Sequence, residues 1–527
     1  MKSLKEGNAF RTRNWKKVPT MFLDQVSNTV FITVMFTFLF EGVVCMDEGS
    51  LKESWFGNIK GDILAGIVVA LALIPEAIAF SIIAGVSPMV GLYASFIIAV
   101  LIAFVGGRPG MISGATGAMA LLMILLVREH GVEYLFAATI FTGIIQIVFG
   151  FLRLARYMKF IPRSVMVGFV NALAILIFMA QLDQLAGGTW VMYAMVVGTL
   201  AIIYLFPYLT TAIPSTLVAI VLITALSIFL GAETKTVGDM GDIYRNLPLF
   251  GIPSVPFNFD TLMIVLPTSL ALALVGLLES LLTATIVDDL TDSGSDKNKE
   301  SRGQGIANIV TGFFGGMAGC AMIGQSVINV KSGGRGRLSS FIAGTVLMFL
   351  IVVLGDIVVR IPMAALIGVM IMVSISTFDW SSIKHLNLLP RTDAIVMIVT
   401  VGVVVFTHNL AIGVFTGIIL SAIFFVSKIS KIEVESKLEG VKRIYYIQGE
   451  LFFASVTELL TKFQYKEEVM EVELNFRKAR LWDDSAVAAV DKVVKKFEDA
   501  GIQTKVTGLN EMSSEIVGRL GNKLGSH

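Results

Sequence analysis

Glu279 stands deep in the apolar run Ser269-Leu-Ala-Leu-Ala-Leu-Val-Gly-Leu-Leu-Glu-Ser-Leu-Leu-Thr283. An ionisable group in such a setting is unfavourable and points to function by default. Thr283 lies four residues on, so on a helix its hydroxyl shares the face of the carboxylate. A carboxylate and a hydroxyl near unwound carbonyls would suit Na+, and a carboxylate alone among apolar groups would suit H+. The plainer alternative is a glutamate at a membrane boundary, or one paired structurally. Glu76 follows Pro75 in Ala70-Leu-Ala-Leu-Ile-Pro-Glu-Ala-Ile-Ala-Phe80, where proline frees a carbonyl and kinks a helix. It is either a second coupling carboxylate or a cap on that kink. Phe80, one turn along, is either an apolar wall of a site or packing.

Two glycine clusters carry the complementary chemistry. Gly110-Met-Ile-Ser-Gly-Ala-Thr-Gly117 and Gly315-Gly-Met-Ala-Gly-Cys-Ala-Met-Ile-Gly324 each interrupt apolar sequence and run into a further apolar segment. Paired interruptions at matching places in two halves mark transporters whose half-helices meet near the membrane midplane. Helix N-termini there present unsatisfied N–H donors and partial positive charge, which bind anions. Thr116, Gly324, Gln325 and Ser326 would add neutral hydrogen bonds. Close helix packing is the alternative use of glycine, but it explains single pairs better than dense clusters in both halves.

The elements that must position these residues are membrane spans. The 527-residue chain is 55% hydrophobic and 15% charged, with a mean hydropathy of +0.80, far from the roughly 25% charge of soluble domains. A net charge of +1 suggests no nucleic-acid partner. Cys45 and Cys320 have no paired spacing and the four histidines are scattered, so disulfide, zinc and other metal readings fail. No nucleophile–base set supports an enzyme, and no cofactor is implied. About fourteen segments fall between residues 62 and 428. Those near 111–127, 303–314 and 322–331 are shorter than the ~20 residues of a full span and are expected to be half-helices or irregular backbone. Lysine and arginine concentrate in alternate loops, which places those loops and the C-terminal tail in the cytoplasm. Met111 and Met317, like Glu76 and Glu279, stand at nearly equal offsets, which points to an internal repeat of about seven spans. Seven is odd, so the second half is inverted.

Three regions follow: a leader over 1–56, a transporter domain over 57–430, and a soluble α/β domain over 431–527. The leader has a basic front and an apolar stretch from Val26 to Cys45, and reads as a signal peptide or an extra helix. A third reading is a spurious extension. Glu41-Gly42 can be encoded as a ribosome-binding sequence, with translation starting at Met46. In the tail, Val441–Ile447, Glu471–Leu474 and Gln503–Thr507 read as strands, with helical periodicity over Ser455–Phe463 and Ser485–Ala500. Asp483-Asp484-Ser485 opens a helix, where capping is the expected role. A regulatory phosphorylation site or a ligand loop at Ser485 is the other.

Several motifs together name a family. Gly61-Asp-Ile-Leu-Ala-Gly66, Ile74-Pro-Glu76, Gly91-Leu-Tyr93, Gly303-Gln-Gly-Ile-Ala-Asn308, Phe314-Gly-Gly316 and Val327-Ile-Asn-Val-Lys-Ser-Gly333 resemble the SulP inorganic anion transporters, often called sulfate permeases. The tail is similar to their STAS domain. The resemblance runs from about residue 57 to 521 and implies a multi-span helical protein of the cytoplasmic membrane. It further implies a seven-plus-seven inverted repeat, core and gate domains, and a homodimer. By position it places Glu76, Phe80, Thr116, Gly324 and Gln325 at the substrate. Glu279 and Thr283 resemble the Na+-holding residues of the bicarbonate-transporting branch. Many relatives have glutamine in place of Glu76 and arginine in place of Gln325. With a carboxylate added and a cation absent, cation-coupled uptake of bicarbonate or sulfate fits better than pure exchange, and a dicarboxylate remains open. A nucleobase–cation symporter of the same fold and a channel or membrane-anchored sensor are the rival readings.

Overall fold

A computed structural model describes residues 48–210, 214–231, 234–241, 246–466 and 468–524. The apolar leader stretch, the Met46 start, and Glu233, Asp242 and Arg245 of the long loop lie outside the described residues. The chain divides into two compact units: one holds residues up to Leu389 with Met397–Phe415, and the other holds Pro390–Val396 with Thr416 onward.

Two series of helices make up the first unit, with the start of the last-but-one helix and most of the last helix counted in the second. A short α1 (Glu48–Phe56) precedes α2 (Ile59–Ala84), α3 (Pro88–Val105), strand β1 (Ser113–Gly114), α4 (Gly117–His130), α5 (Val132–Phe151), α6 (Arg163–Leu185), α7 (Trp190–Leu205) and α8 (Ser215–Leu230). The order then recurs: α9 (Phe259–Thr291), α10 (Lys297–Phe313), β2 (Cys320–Ala321), α11 (Ile323–Lys331), α12 (Arg337–Val358), α13 (Met363–Thr377), a short α14 (Trp380–Lys384), α15 (Arg391–Thr407) and α16 (Leu410–Ile429). Among the described residues, eight helices are long and apolar enough to cross a membrane, α2 and α9 the longest.

The two series pack reciprocally. α2 lies on α11 as α9 lies on α4, and α3 lies on α12 as α5 lies on α10. A twofold relation between the series produces this pattern. Glycine permits the closest of these approaches: a Cβ at Gly143 of α5 would stand 2.4 Å from the Gly305 carbonyl of α10. A Cβ at Gly305 would stand 2.5 Å from the Gly143 carbonyl. Both glycine clusters break the helical run, as expected, each giving a two-residue strand and ending in the first residues of the next helix. The segment near 303–314 differs. It belongs to a continuous helix starting at Lys297, where Asp296 caps the N-terminus by accepting from the N–H groups of Asn298 and Lys299.

The second unit carries a four-stranded sheet in the order β3-β4-β5-β6: β3 (Glu433–Glu439), β4 (Lys442–Leu451), β5 (Glu471–Leu481) and β6 (Gln503–Thr507). β3 and β4 are antiparallel, joined by a tight turn with Gly440 at φ 65°, and the other pairs are parallel. Helices α17 (Val456–Thr461), α18 (Asp484–Asp499) and α19 (Glu511–Leu524) complete it. α18 buries Val487, Val490, Val493 and Phe497 against Tyr445, Ile447, Leu474 and Phe476 of the sheet.

Candidate functional site

β1 and β2 pair antiparallel, Ser113 opposite Ala321 and Gly114 opposite Cys320. Each strand feeds a helix within three residues. The antiparallel register therefore sends α4 and α11 away in opposite directions, with both N-termini at the shared ladder. Backbone polar groups inside a membrane protein must find partners, and buried side chains supply them here. Ser95 Oγ accepts from Ala115 N–H at 3.1 Å, and Ser280 Oγ accepts from Ala321 N–H at 3.0 Å. Asn308 accepts from Gly319 N–H at 2.9 Å and donates to the Gly319 carbonyl at 3.0 Å and to Gln146 Oε1 at 2.8 Å. Gln304 donates to Ser113 Oγ at 2.7 Å.

Five of the residues singled out from sequence gather at these helix ends. Thr116 is the N-cap of α4, and its hydroxyl accepts from Met119 N–H. Cys320 Sγ lies 3.2 Å from Thr116 Oγ1 and donates to Glu279 Oε2 at 3.0 Å. Glu279 is buried in α9. One helix over, the Gln325 side chain on α11 lies within hydrogen-bonding reach of the Glu76 carboxylate on α2. Gly324, the neighbour of Gln325, is exposed, and a Cβ built there would meet nothing within 4 Å. Met322 at the α11 N-cap offers no side-chain acceptor, so the first N–H groups of that helix are left to a ligand or water.

Phe80 and Ser326 border the same helix ends, and Thr283 and Ser485 take other roles. Phe80 packs against the start of α4, its ring 2.9 Å from where a Cβ of Gly117 would stand. Thr283 donates to the Glu279 carbonyl at 2.7 Å, which leaves its oxygen lone pairs facing away from that bond. The Ser326 hydroxyl accepts from Ile112 N–H at 3.0 Å and donates to Ile112 O, so it braces the approach to β1. Ser485 is the second residue of α18 in the other unit, where Asp483 caps by accepting from Ala486 N–H at 2.9 Å.

Sequence reasoning passed over Cys320, Ser95, Ser280 and Asn308. A polar side chain inside an apolar helix was the available signal for Ser95 and Ser280. The buried guanidinium groups bind elsewhere: Arg108 pairs with Asp288 at 3.1 Å, and Arg337 donates to the Ala103 and Gly106 carbonyls at the end of α3. The site thus combines two helix ends, hydroxyl and thiol groups, and two carboxylates. That composition can take an anion together with a compensating cation. Among the described residues no group of three or more His, Cys, Asp or Glu forms a metal centre.

Comparison with known proteins places this geometry. The profile described as "Sulfate permease family" matches residues 59–400, and the STAS domain profile matches residues 432–523. "Putative sulfate transporter YbaR" of Bacillus subtilis is 63% identical over 469 residues, covering 89% of this chain and 98% of that protein. The solved transmembrane domain of a cyanobacterial bicarbonate transporter, BicA, superposes with a TM-score of 0.61 at 28% identity, covering 70% of this chain and 98% of that one. The murine Slc26a9 anion transporter, solved in the inward-facing state, superposes with a TM-score of 0.76, covering 98% of this chain and 95% of that one. At 15% identity that likeness speaks for the fold alone.

Proposed function

The chain belongs to the sulfate permease family, and from that premise we propose that it is a secondary active transporter of a small inorganic anion, bicarbonate or sulfate. The anion sits between the N-termini of α4 and α11, and Na+ or H+ at Glu279 and Thr283 makes its entry favourable. The protein works by alternating access. Residues 57–430 form the transporter domain of a homodimer in the cytoplasmic membrane, and the STAS domain over 431–527 lies in the cytoplasm.

The observation that carries this reading is the pair of opposed helix ends with a buried carboxylate one thiol away from the N-cap Thr116. Helix ends favour negative charge. Two nearby carboxylates, Glu76 and Glu279, oppose it. A site so balanced fills when a cation offsets the acidic charge, and coupled transport requires this conditional occupancy. Gln325 is neutral where many relatives have arginine, so the compensating charge must arrive as a ligand.

Uptake of labelled bicarbonate and of labelled sulfate into proteoliposomes, with Na+ and H+ gradients imposed separately, tests the proposal. Uptake of one of these anions driven by one of the two gradients is the expected result. Gradient-independent flux of either anion, or uptake of uracil in place of both, would overturn it.

A further inference from the structure

Cys320 is fully buried and lies between two groups that the transport reading gives different tasks, the cation at Glu279 and the anion at Thr116. Its Sγ stands 3.0 Å from Glu279 Oε2 and 3.2 Å from Thr116 Oγ1. Donor directions follow from the chemistry of the three groups. An ionised carboxylate only accepts, so the thiol proton goes to Glu279. The Thr116 oxygen already accepts from Met119 N–H at the start of α4, and its own proton has two acceptors within reach, the sulfur and the Glu279 carboxylate. The arrangement that uses both contacts of the thiol is a chain, Thr116 O–H to Cys320 Sγ, then Cys320 S–H to Glu279. In a buried setting such bonds polarise one another.

We propose that Cys320 is a positioning residue that transmits the charge state of Glu279 to the anion-binding end of α4. While the carboxylate is bare, the Thr116 hydroxyl is drawn towards the sulfur. A cation on the carboxylate draws off its negative charge and weakens the thiol's acceptor, and the Thr116 hydroxyl turns its proton to an anion between α4 and α11. The inference rests on the coupled-transport reading above and deepens it by naming the residue that joins the two sites. Linkage makes the effect reciprocal, so a bound anion tightens the cation site by the same factor. A cysteine that only fills volume acts as a small apolar side chain and would leave this factor untouched.

The test compares the half-saturation concentration for anion uptake at low and at saturating cation, in proteoliposomes of the full chain. It uses the anion and the driving cation found for the unsubstituted protein. The ratio of the two half-saturation values is expected to be about tenfold in that protein. It should fall below about twofold in Cys320→Val and in Cys320→Ala, and return to about tenfold in Cys320→Ser, which keeps a donor of similar size. The alanine variant guards against over-packing by valine. A full ratio in either apolar variant overturns the inference, whatever happens to the maximal rate. A serine variant as weakly coupled as alanine also overturns it. A ratio of one in the unsubstituted protein refutes cation coupling itself, which separates failure of the reading from failure of the relay.

Discussion

A methyl group is the smallest probe of whether Gly324 borders ligand space. Gly324→Ala places its Cβ where no atom lies within 4 Å, so the thermal unfolding temperature should hold. Anion uptake should drop about tenfold or more, because small displacements in a positioning site are felt strongly. Gly117→Ala supplies the contrast. Its Cβ would come within 2.9 Å of both Phe80 and Ile177, and overpacking of this kind costs about 1–3 kcal/mol of stability. Unfolding followed in detergent should separate the two variants. Gln325→Arg asks a charge question at the same helix end. A fixed cation beside Glu76 should weaken the dependence of uptake on an imposed cation gradient, measured as the ratio of initial rates with and without it. An unchanged ratio would count against the charge balance proposed for the site.

The breaks at β1 and β2 exist because buried side chains replace the hydrogen bonds a helix would have made. Asn308→Ala strands both the N–H and the carbonyl of Gly319, and an unsatisfied buried group costs about 1–3 kcal/mol. Loss of folded yield, with no recovery on adding substrate anion, is the expected result. In the tail, Glu473 of β5 accepts from Lys442 of β4 at 2.7 Å and from Thr507 of β6 at 2.6 Å, and these bonds hold its carboxyl below the usual range. Because the folded value is the lower one, this contribution is complete above the unfolded pKa and is lost as pH falls through the folded value. Proteolysis of the tail in the full chain should therefore rise on acidification, and Glu473→Gln should flatten that component.

Elements were legible in sequence where an apolar background made polar interruption conspicuous, as at Gly110–Gly117 and Gly315–Gly324. The 303–314 segment misled because its polar residues serve the other half of the molecule. Gln304 donates to Ser113 Oγ, and Asn308 donates to Gln146 Oε1. β3 escaped because all but one of its residues are exposed and no alternation marks it. Cys320 escaped because its partners Glu279 and Thr116 stand 41 and 204 positions away, and no local spacing encodes such contacts.

At the scale of the whole molecule, two series of helices contribute equally to one small site. Each supplies a broken segment, a helix end and a carboxylate: Glu76 with α4 from the first, Glu279 with α11 from the second. In the proposed alternating-access cycle, a site divided in this way would open to either side as one group of helices moved against the other. Its cation-conditional occupancy is the central claim, and calorimetric titration of the purified full chain with bicarbonate and with sulfate tests it most directly. The titration would be run without Na+ at neutral pH, with saturating Na+, and at lowered pH, for the unsubstituted protein and for Glu279→Gln. If a cation at Glu279 licenses the anion, affinity rises about tenfold with one of the two cations. Glu279→Gln then binds the anion equally well in all three conditions, because the amide removes the charge that the cation must offset. Equal affinity of the unsubstituted protein in every condition, or a Glu279→Gln variant with unaltered cation dependence, would contradict it.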